Sequence, residues 1–479
     1  MKQVFNPYLP AGEYIPDGEP HVFGNRVYVY GSHDRFNAAI FCVNDYVCYS
    51  APVDDLSAWR YEGVIYKKKQ DPLNKLGIRL LFAPDVVQGV DGRYYLYYAY
   101  DFLGRMGVAV SDKPQGPYEY YGHVRYADGR EWGSRSGDEF PFDPGALVDD
   151  DGRVYLYSGF ATKVPFIMSR FHNLRNSGGV GMELEQDMLT IKDKMQLIFP
   201  QKDNNPPTEF AGHAFFEASS IRKVGDKYYF IYSSELSHEL CYAVSDSPCR
   251  GFVYGGTLVD NADLGLCDTA RYFTGNNHGS IEQINGRWYV FYHRHTNSSL
   301  FCRQGMVEPI EILPDGRIPQ VEITTSGPNG APLPAVELRE LPAYAACNLY
   351  MTQPPQVNAE AGQNPFPYIT QDGADVMPES ESKPEAYICN LTPGTVVGFK
   401  YLNFQNVTKV SVKTRGMCYY GGFDVLLTAD GEPIGTVSAA RGNEWRWQTT
   451  ELAIPDGISA IYFRMKGYGT LSLAAAKFH

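Results

Sequence analysis

Short alternating runs of apolar and polar residues, each reversed by a tight turn, recur through the first 320 residues of the chain. The unit is an apolar run, a two-residue turn and an aromatic-rich alternating run. Its copies begin at His21, Asp85, Ala146, Ser220 and Ser280, as in His21-Val-Phe-Gly-Asn-Arg-Val-Tyr-Val-Tyr30. Gly-Asn, Asp-Gly, Gly-Asp and Asn-Gly at the turns supply the positive φ that two-residue hairpins require. The turns centre near residues 25, 92, 152, 226 and 286, a spacing of 60 to 74 residues. A second strand pair follows most hairpins, for example Cys241-Tyr-Ala-Val-Ser-Asp246 with Gly251-Phe-Val-Tyr254. Two hairpins make a four-stranded blade, and five blades closed radially hide their own sheet edges. The pattern predicts an all-β chain whose residues 1–325 form a five-bladed β-propeller.

The repeat stops after Ile323, and the Gly/Pro-rich stretch Ser326-Gly-Pro-Asn-Gly-Ala-Pro-Leu-Pro334 reads as its exit. Alternation then resumes in Thr395-Val-Val-Gly-Phe-Lys-Tyr-Leu402, Val407-Thr-Lys-Val-Ser-Val-Lys-Thr414 and Gly422-Phe-Asp-Val-Leu-Leu427. Turns every 8–15 residues are the mark of a β-sandwich. That second domain is expected over 337–479.

In a propeller the innermost strand of each blade lines the central channel, so residues just ahead of those strands converge at its mouth. Asp17, Asp85, Asp143, Glu217 and His278 stand seven to nine residues before the five turns, one per repeat. A single Asp near a strand start usually caps a turn. Five ionisable residues in register point instead to a site. Carboxylates crowded at one axis raise one another's pKa, which lets a neutral acid and an ionised base coexist near pH 7. His278, in Asn276-Asn-His-Gly-Ser280, reads either as a ligand to a hard cation or as an orienting hydrogen-bond partner.

Composition agrees with many short strands and turns: aromatics make up 14% of the chain, with 36 Tyr, 47 Gly and 32 Pro. A net charge of −13 argues against nucleic acid or an anionic membrane as partner, since both demand a basic surface. No window approaches the roughly 20 apolar residues of a membrane span, and residues 1–12 carry no secretory pattern. The nine Cys are scattered without a CxxC or framework spacing, so a reducing, cytoplasmic setting is expected.

These segments resemble glycoside hydrolase family 43 over residues 5 to 323. The matching pieces are Asn6-Pro-Tyr-Leu-Pro with Pro16-Asp17, Leu56-Ser-Ala-Trp-Arg-Tyr-Glu-Gly63, Ala83-Pro-Asp85, Asp143-Pro-Gly-Ala-Leu, Phe216-Glu217-Ala and His278-Gly-Ser280. The resemblance implies glycosidic hydrolysis with inversion. It implies Asp17 as general base, Glu217 as general acid, and Asp143 as the residue that orients the acid and sets its pKa. Asp85 becomes a sugar-binding residue of the site wall. Arg303, in Cys302-Arg-Gln-Gly-Met-Val307, becomes a ligand of sugar hydroxyls, and His278 a sugar-side residue beside calcium or another cation at the axis; no organic cofactor is implied. Asp17 is followed by Gly-Glu-Pro and Glu217 by Ala-Ser, departures from the family pattern that bear on pocket shape. The segment from Gly421 to Trp447 is similar to carbohydrate-binding modules of the family 6 type, with Tyr419, Tyr420, Trp445 and Trp447 as candidates for stacking on sugars.

The expected activity is that of an exo-acting pentosidase, releasing β-D-xylose, α-L-arabinofuranose or both from xylo- or arabino-oligosaccharides. The inserts 67–81 and 103–138 are long enough to wall in a closed pocket. An endo-arabinanase or galactanase of the same family is the alternative within the class, and a non-catalytic sugar-binding propeller the alternative outside it. A lectin would not call for different acids at the axis. A fructan-cleaving propeller ranks last, because its Asn-Asp-Pro-Asn segment is missing.

Overall fold

A computed structural model describes residues 4–351, 366–376, 379–380 and 384–479. The other residues of the expected 1–325 and 337–479 domains lie outside the described residues. Each of the five repeats forms an antiparallel sheet. Blade one is Glu19–Phe23, Arg26–Tyr30, Tyr46–Pro52 and Arg60–Tyr66; blade two is Leu81–Gln88, Tyr94–Tyr100, Met106–Ser111 and Glu119–His123. Blade four is Phe215–Val224, Lys227–Ser234, Glu239–Ser245 and Val253–Asp260. All five expected turns join paired strands, as in Phe23↔Arg26 across Gly24-Asn25 and Ile284↔Arg287 across Asn285-Gly286.

Blades three and five depart from the four-stranded pattern. Blade three (Gly145–Val148, Val154–Ser158, Gly178–Leu184) carries two further strands, Thr190–Ile191 and Gln196–Pro200, and gains Arg125–Tyr126 from the preceding connection. Blade five has three strands among the described residues, Ser280–Ile284, Arg287–His295 and Arg303–Ile310. The chain that would supply its outer strand instead runs beside blade four, where Val259 bridges Val321.

The ring closes through its inner strands. Each touches the next, and the first meets the last at the Gly18↔Gly279 bridge. A Cβ on Gly279 would lie 1.8 Å from the Phe291 carbonyl oxygen, so the packing of this segment on the second strand of its own blade requires glycine there. One apolar cluster fills each interface between blades, for example Tyr30, Tyr46, Leu81, Leu96 and Tyr98 between blades one and two. Blades are therefore buried on both faces, which is why a strand such as Tyr94-Tyr-Leu-Tyr-Tyr-Ala-Tyr100 reads as a nearly continuous aromatic run.

After blade five the described residues form one hydrogen-bonded assembly of ten strands, beginning with Leu333–Pro334. Its spine is Gly457–Phe478, paired antiparallel with Lys409–Leu426 and with Val396–Phe404. The core of this unit takes in Tyr272 and Phe273 from the propeller. Lys400 reaches back to Asp263 at 3.0 Å and Glu322 at 2.9 Å. Near the propeller mouth, Asn297 N–H donates to Ile369 O at 2.7 Å and Tyr14 OH to Gln371 Oε1 at 2.7 Å. The two units are thus tied both behind the blades and at the rim.

Candidate active site

Four of the five register-matched residues meet. Asp17, Asp143, Glu217 and His278 line one cavity of about 340 Å³, together with Arg303. Its remaining wall is largely Phe41, Phe82, Phe102, Phe142, Phe160 and Phe216. Local backbone geometry aims the acids. Asp17 and Asp143 sit at φ 57° and 43°, as does Ala218 at 68°, in the left-handed region that few non-glycine residues adopt. Strand Phe215–Val224 shifts register on both sides of Glu217, a bulge that turns its side chain toward the cavity.

Asp85 corrects the sequence expectation, because it does not line the cavity. It lies inside strand Leu81–Gln88, fully buried, with Oδ1 on His21 Nε2 at 2.6 Å and Oδ2 accepting Ala146 N–H at 2.7 Å. The register shift between Phe82 and Asp85 carries it down the strand and away from the mouth. With both oxygens engaged it holds blades one, two and three together and cannot meet a sugar.

Arg303 organises the anionic side of the site. Nη1 donates to Asp17 Oδ1 at 2.8 Å, while Nε and Nη2 grip Asp34 at 2.9 and 3.1 Å. The guanidinium also stacks on Phe41, 4.7 Å from the ring centre. His293 completes the setting of Asp17. Its Nε2–H donates to Asn276 O at 2.8 Å, which leaves Nδ1 to accept the Asp17 backbone N–H at 3.3 Å. The ring is therefore neutral, and burial holds its pKa well below the usual value.

On the opposite wall the carboxyls have raised pKa values. Burial, and then the charge of Asp17, push Glu217 up to about 8. Burial and repulsion from Glu217 and Asp17 also raise Asp143. Asp143 Oδ2 accepts the Ala218 N–H at 3.1 Å, a bond that favours its charged form, whereas Glu217 accepts none from the described residues. Hydrogen bonding therefore favours the charged form at Asp143 more than at Glu217. A carboxyl group with a raised pKa, Glu217, and one clamped by arginine, Asp17, thus line the same small apolar cavity, two differently set carboxyls of the kind paired acid and base catalysis needs.

His278 lies between these groups and the channel. Nδ1 is 3.6 Å from Asp143 and 4.0 Å from Asp17; burial lowers its pKa to about 4, so the ring is neutral. Nε2 is buried without a partner, 4.0 Å from Glu19 Oε1, which is likewise without one. The other Glu19 oxygen accepts from Arg222 and Ser220, each at 3.1 Å.

Asp34, His293, Asn276 and the phenylalanine wall were not among the residues singled out from sequence. A signal existed for the first two: the aromatic runs of blades one and five end in Ser32-His-Asp34 and His293-Arg-His295, where an ordinary strand would pass into turn residues. In the C-terminal unit Tyr419 and Tyr420 are exposed, Tyr420 at 93% and at φ 52°. Trp445 and Trp447 are half-buried under cations, Arg415 at 4.3 Å and Lys477 at 4.2 Å.

A closed five-bladed ring that brings Asp17, Asp143 and Glu217 to one cavity at its mouth has the carboxyl groups that acid–base hydrolysis calls for. The model of glycosyl hydrolases family 43 matches residues 16–318, and the chain belongs to that family. It is therefore a glycoside hydrolase. A xylosidase/arabinosidase of Thermoclostridium stercorarium is 50% identical over 98% of each chain. A family 43 β-xylosidase/α-arabinofuranosidase from a compost microbial metagenome, solved with xylotriose in a calcium-free form, is 26% identical over 67% of this chain and 98% of its own, with a TM-score of 0.52. The fold extends over 99% of this chain in a family 43 arabinoxylan arabinofuranohydrolase from Bacillus subtilis, which covers 97% of that chain at 21% identity and TM-score 0.52.

Proposed function

We propose that the protein is an inverting, exo-acting pentosidase that removes β-D-xylose, α-L-arabinofuranose or both from the ends of short oligosaccharides. Asp17 is the general base that activates water, Glu217 the general acid that protonates the leaving oxygen, and Asp143 the neighbour that sets the proton on Glu217. The carrying observation is that Glu217, its pKa pushed up to about 8, shares a cavity of about 340 Å³ with Asp17, which Arg303 holds at 2.8 Å, a volume at the lower end for ligand sites and suited to one sugar. The xylosidase/arabinosidase at 50% identity supports the same substrates. Arg303 spends its donors on Asp34 and Asp17, so its main part is to fix the base.

The C-terminal unit is proposed to be a sandwich of the carbohydrate-binding-module kind, with the 93% exposed Tyr420 as its sugar platform; Tyr419 lies under Arg441, 4.0 Å from its ring centre. His278 Nε2 and Glu19 Oε1, 4.0 Å apart and without partners among the described residues, would give a cation such as calcium one carboxylate oxygen and one imidazole nitrogen, with water as its remaining ligands. Such an ion would supply fixed positive charge beside the acids. All nine cysteines are free, in keeping with a cytoplasmic enzyme fed by imported oligosaccharides.

The reading is tested by assaying release of sugar from nitrophenyl β-D-xyloside and nitrophenyl α-L-arabinofuranoside, with proton NMR of the first turnovers. Cleavage of at least one aryl pentoside with inverted product supports it. Retained configuration, or hydrolysis of internal linkages only, would overturn it.

A further inference from the structure

We propose that the groove leading out of the catalytic cavity over Phe216 is the leaving-group site of the enzyme, which holds the second and third sugars of a neutral oligosaccharide. The inference rests on the pentosidase reading and adds the residues that select chain length.

The groove encloses about 910 Å³ and shares Phe216 with the catalytic cavity. The walls are also continuous in the chain, from Phe160 in the cavity to Ala161 in the groove and from Ser237 to Glu235. Position gives it a role. A general acid must touch the glycosidic oxygen, so whatever lies beyond that oxygen leaves past Glu217, and Phe216 is its immediate neighbour.

The chemistry of the walls changes along this path. Phenylalanines surround the cavity, whereas the groove presents Thr162, Asn176, Lys202, Asn204 and Glu235. Donors and acceptors of both charge signs, none dominant, suit hydroxyl groups, which donate and accept alike. Beyond Lys163 and Asn173 the groove continues into a hollow of about 570 Å³ that includes Phe166. Phe166 and Phe171 stand on this loop 54% and 69% exposed, their ring centres 5.8 Å apart. Arg170 and Phe171 hold φ of 55° and 65°, so the loop carries local strain to present these rings. Exposed apolar rings at the end of a polar groove mark a binding surface, and a sugar face can lie on either ring.

The test is the chain-length dependence of kcat/KM on the full chain, from nitrophenyl xyloside through xylobiose, xylotriose and xylotetraose. The intact enzyme should gain about tenfold between xylobiose and xylotetraose, largely through KM. Phe166→Ala with Phe171→Ala should erase the gain on the longest substrate, and Asn204→Ala the gain on xylotriose, each loss confined to the longer substrates. Phe166→Tyr should restore what Phe166→Ala removes. A flat profile for the intact enzyme overturns the proposal, as does an equal loss on every substrate. A change in solution mass without a change in the profile assigns the loop to a protein contact and overturns it too. Failure of the intact enzyme on every aryl pentoside would instead sink the pentosidase reading itself.

Discussion

Arg303 binds Asp17 through one nitrogen and Asp34 through two others, at 2.8, 2.9 and 3.1 Å, with all three residues buried. Asp34 is thus a clamp on the residue that clamps the base. A planar fork can serve both carboxylates at once, while an ammonium presents a single point of charge. Arg303→Lys should therefore free either Asp17 or Asp34. Leaving a buried charge without its partner costs about 3–5 kcal/mol, so Tm should fall together with kcat. Asp34→Asn, which keeps the shape, should lower kcat more than Tm. Thermal melts with initial rates on an aryl pentoside check this, and an unchanged kcat in both variants would remove Arg303 from positioning the base.

The pH profile of kcat/KM on an oligosaccharide should fall on the alkaline side near pH 8, where Glu217 loses its proton. Repulsion between Glu217 and Asp143 is one source of the shared proton. Asp143→Asn removes one negative charge and should move that limb to lower pH. A limb that stays in place would take Asp143 out of its tuning role.

How far the site could be read in advance depended on whether a residue's place was set locally. The hairpin turns are local, since Gly24-Asn25 or Asn285-Gly286 needs positive φ whatever surrounds it, and the repeat therefore fixed the blades and the residues ahead of them. Asp17, Asp143, Glu217 and His278 inherited their convergence from that register. Asp85 shared the register and still missed the cavity, because a bulge at Phe82–Asp85 is a tertiary adjustment with no mark in the alternation. Asp34 and His293 stand out at the ends of their aromatic runs, but that they serve one site follows only once blades one and five are known to meet, as the pairing of Gly18 with Gly279 shows. The third blade grew and the fifth stayed at three strands for the same reason: which strand takes a free edge is settled between segments far apart in the chain.

A network remote from the cavity sets the alkaline stability of blade two. His123 bonds Asp71 at 2.9 Å and Glu131 at 3.1 Å, and although burial opposes its charge, the two carboxylates raise its pKa to about 9. A folded pKa above the unfolded value of 6.5 gives stability that is complete below that value and lost as pH rises through about 9. Tm should decline over that window, and His123→Gln should flatten the decline. An unchanged slope would place its cause elsewhere.

Metal removal probes His278. With calcium between Nε2 and Glu19 Oε1, EDTA should lower Tm and added calcium should restore it, while His278→Gln should be insensitive to both. If the intact protein is indifferent to EDTA and calcium, His278 serves through its ring's approach to Asp143 and Asp17 alone.

Acid and base can be separated by the leaving group. A glycosidic bond breaks through an oxocarbenium-like transition state, and an alkoxide departs slowly unless it is protonated. Glu217→Ala should reduce cleavage of a natural xylo-oligosaccharide by about 10²–10⁴. A dinitrophenolate departs without a proton, so the same variant should keep most of its rate on a dinitrophenyl xyloside. The alkaline limb near pH 8 should vanish with that substrate, since the group that titrates there is gone. Asp17→Ala should fail on both substrates, because no base then activates the water, although Arg303 stays anchored by Asp34 and Phe41. Added azide, which attacks without deprotonation, should rescue Asp17→Ala in part and yield a glycosyl azide of inverted configuration. Equal loss by Glu217→Ala on both substrates would deny it the role of acid. Rescue of Glu217→Ala by azide, with Asp17→Ala unmoved, would exchange the two roles.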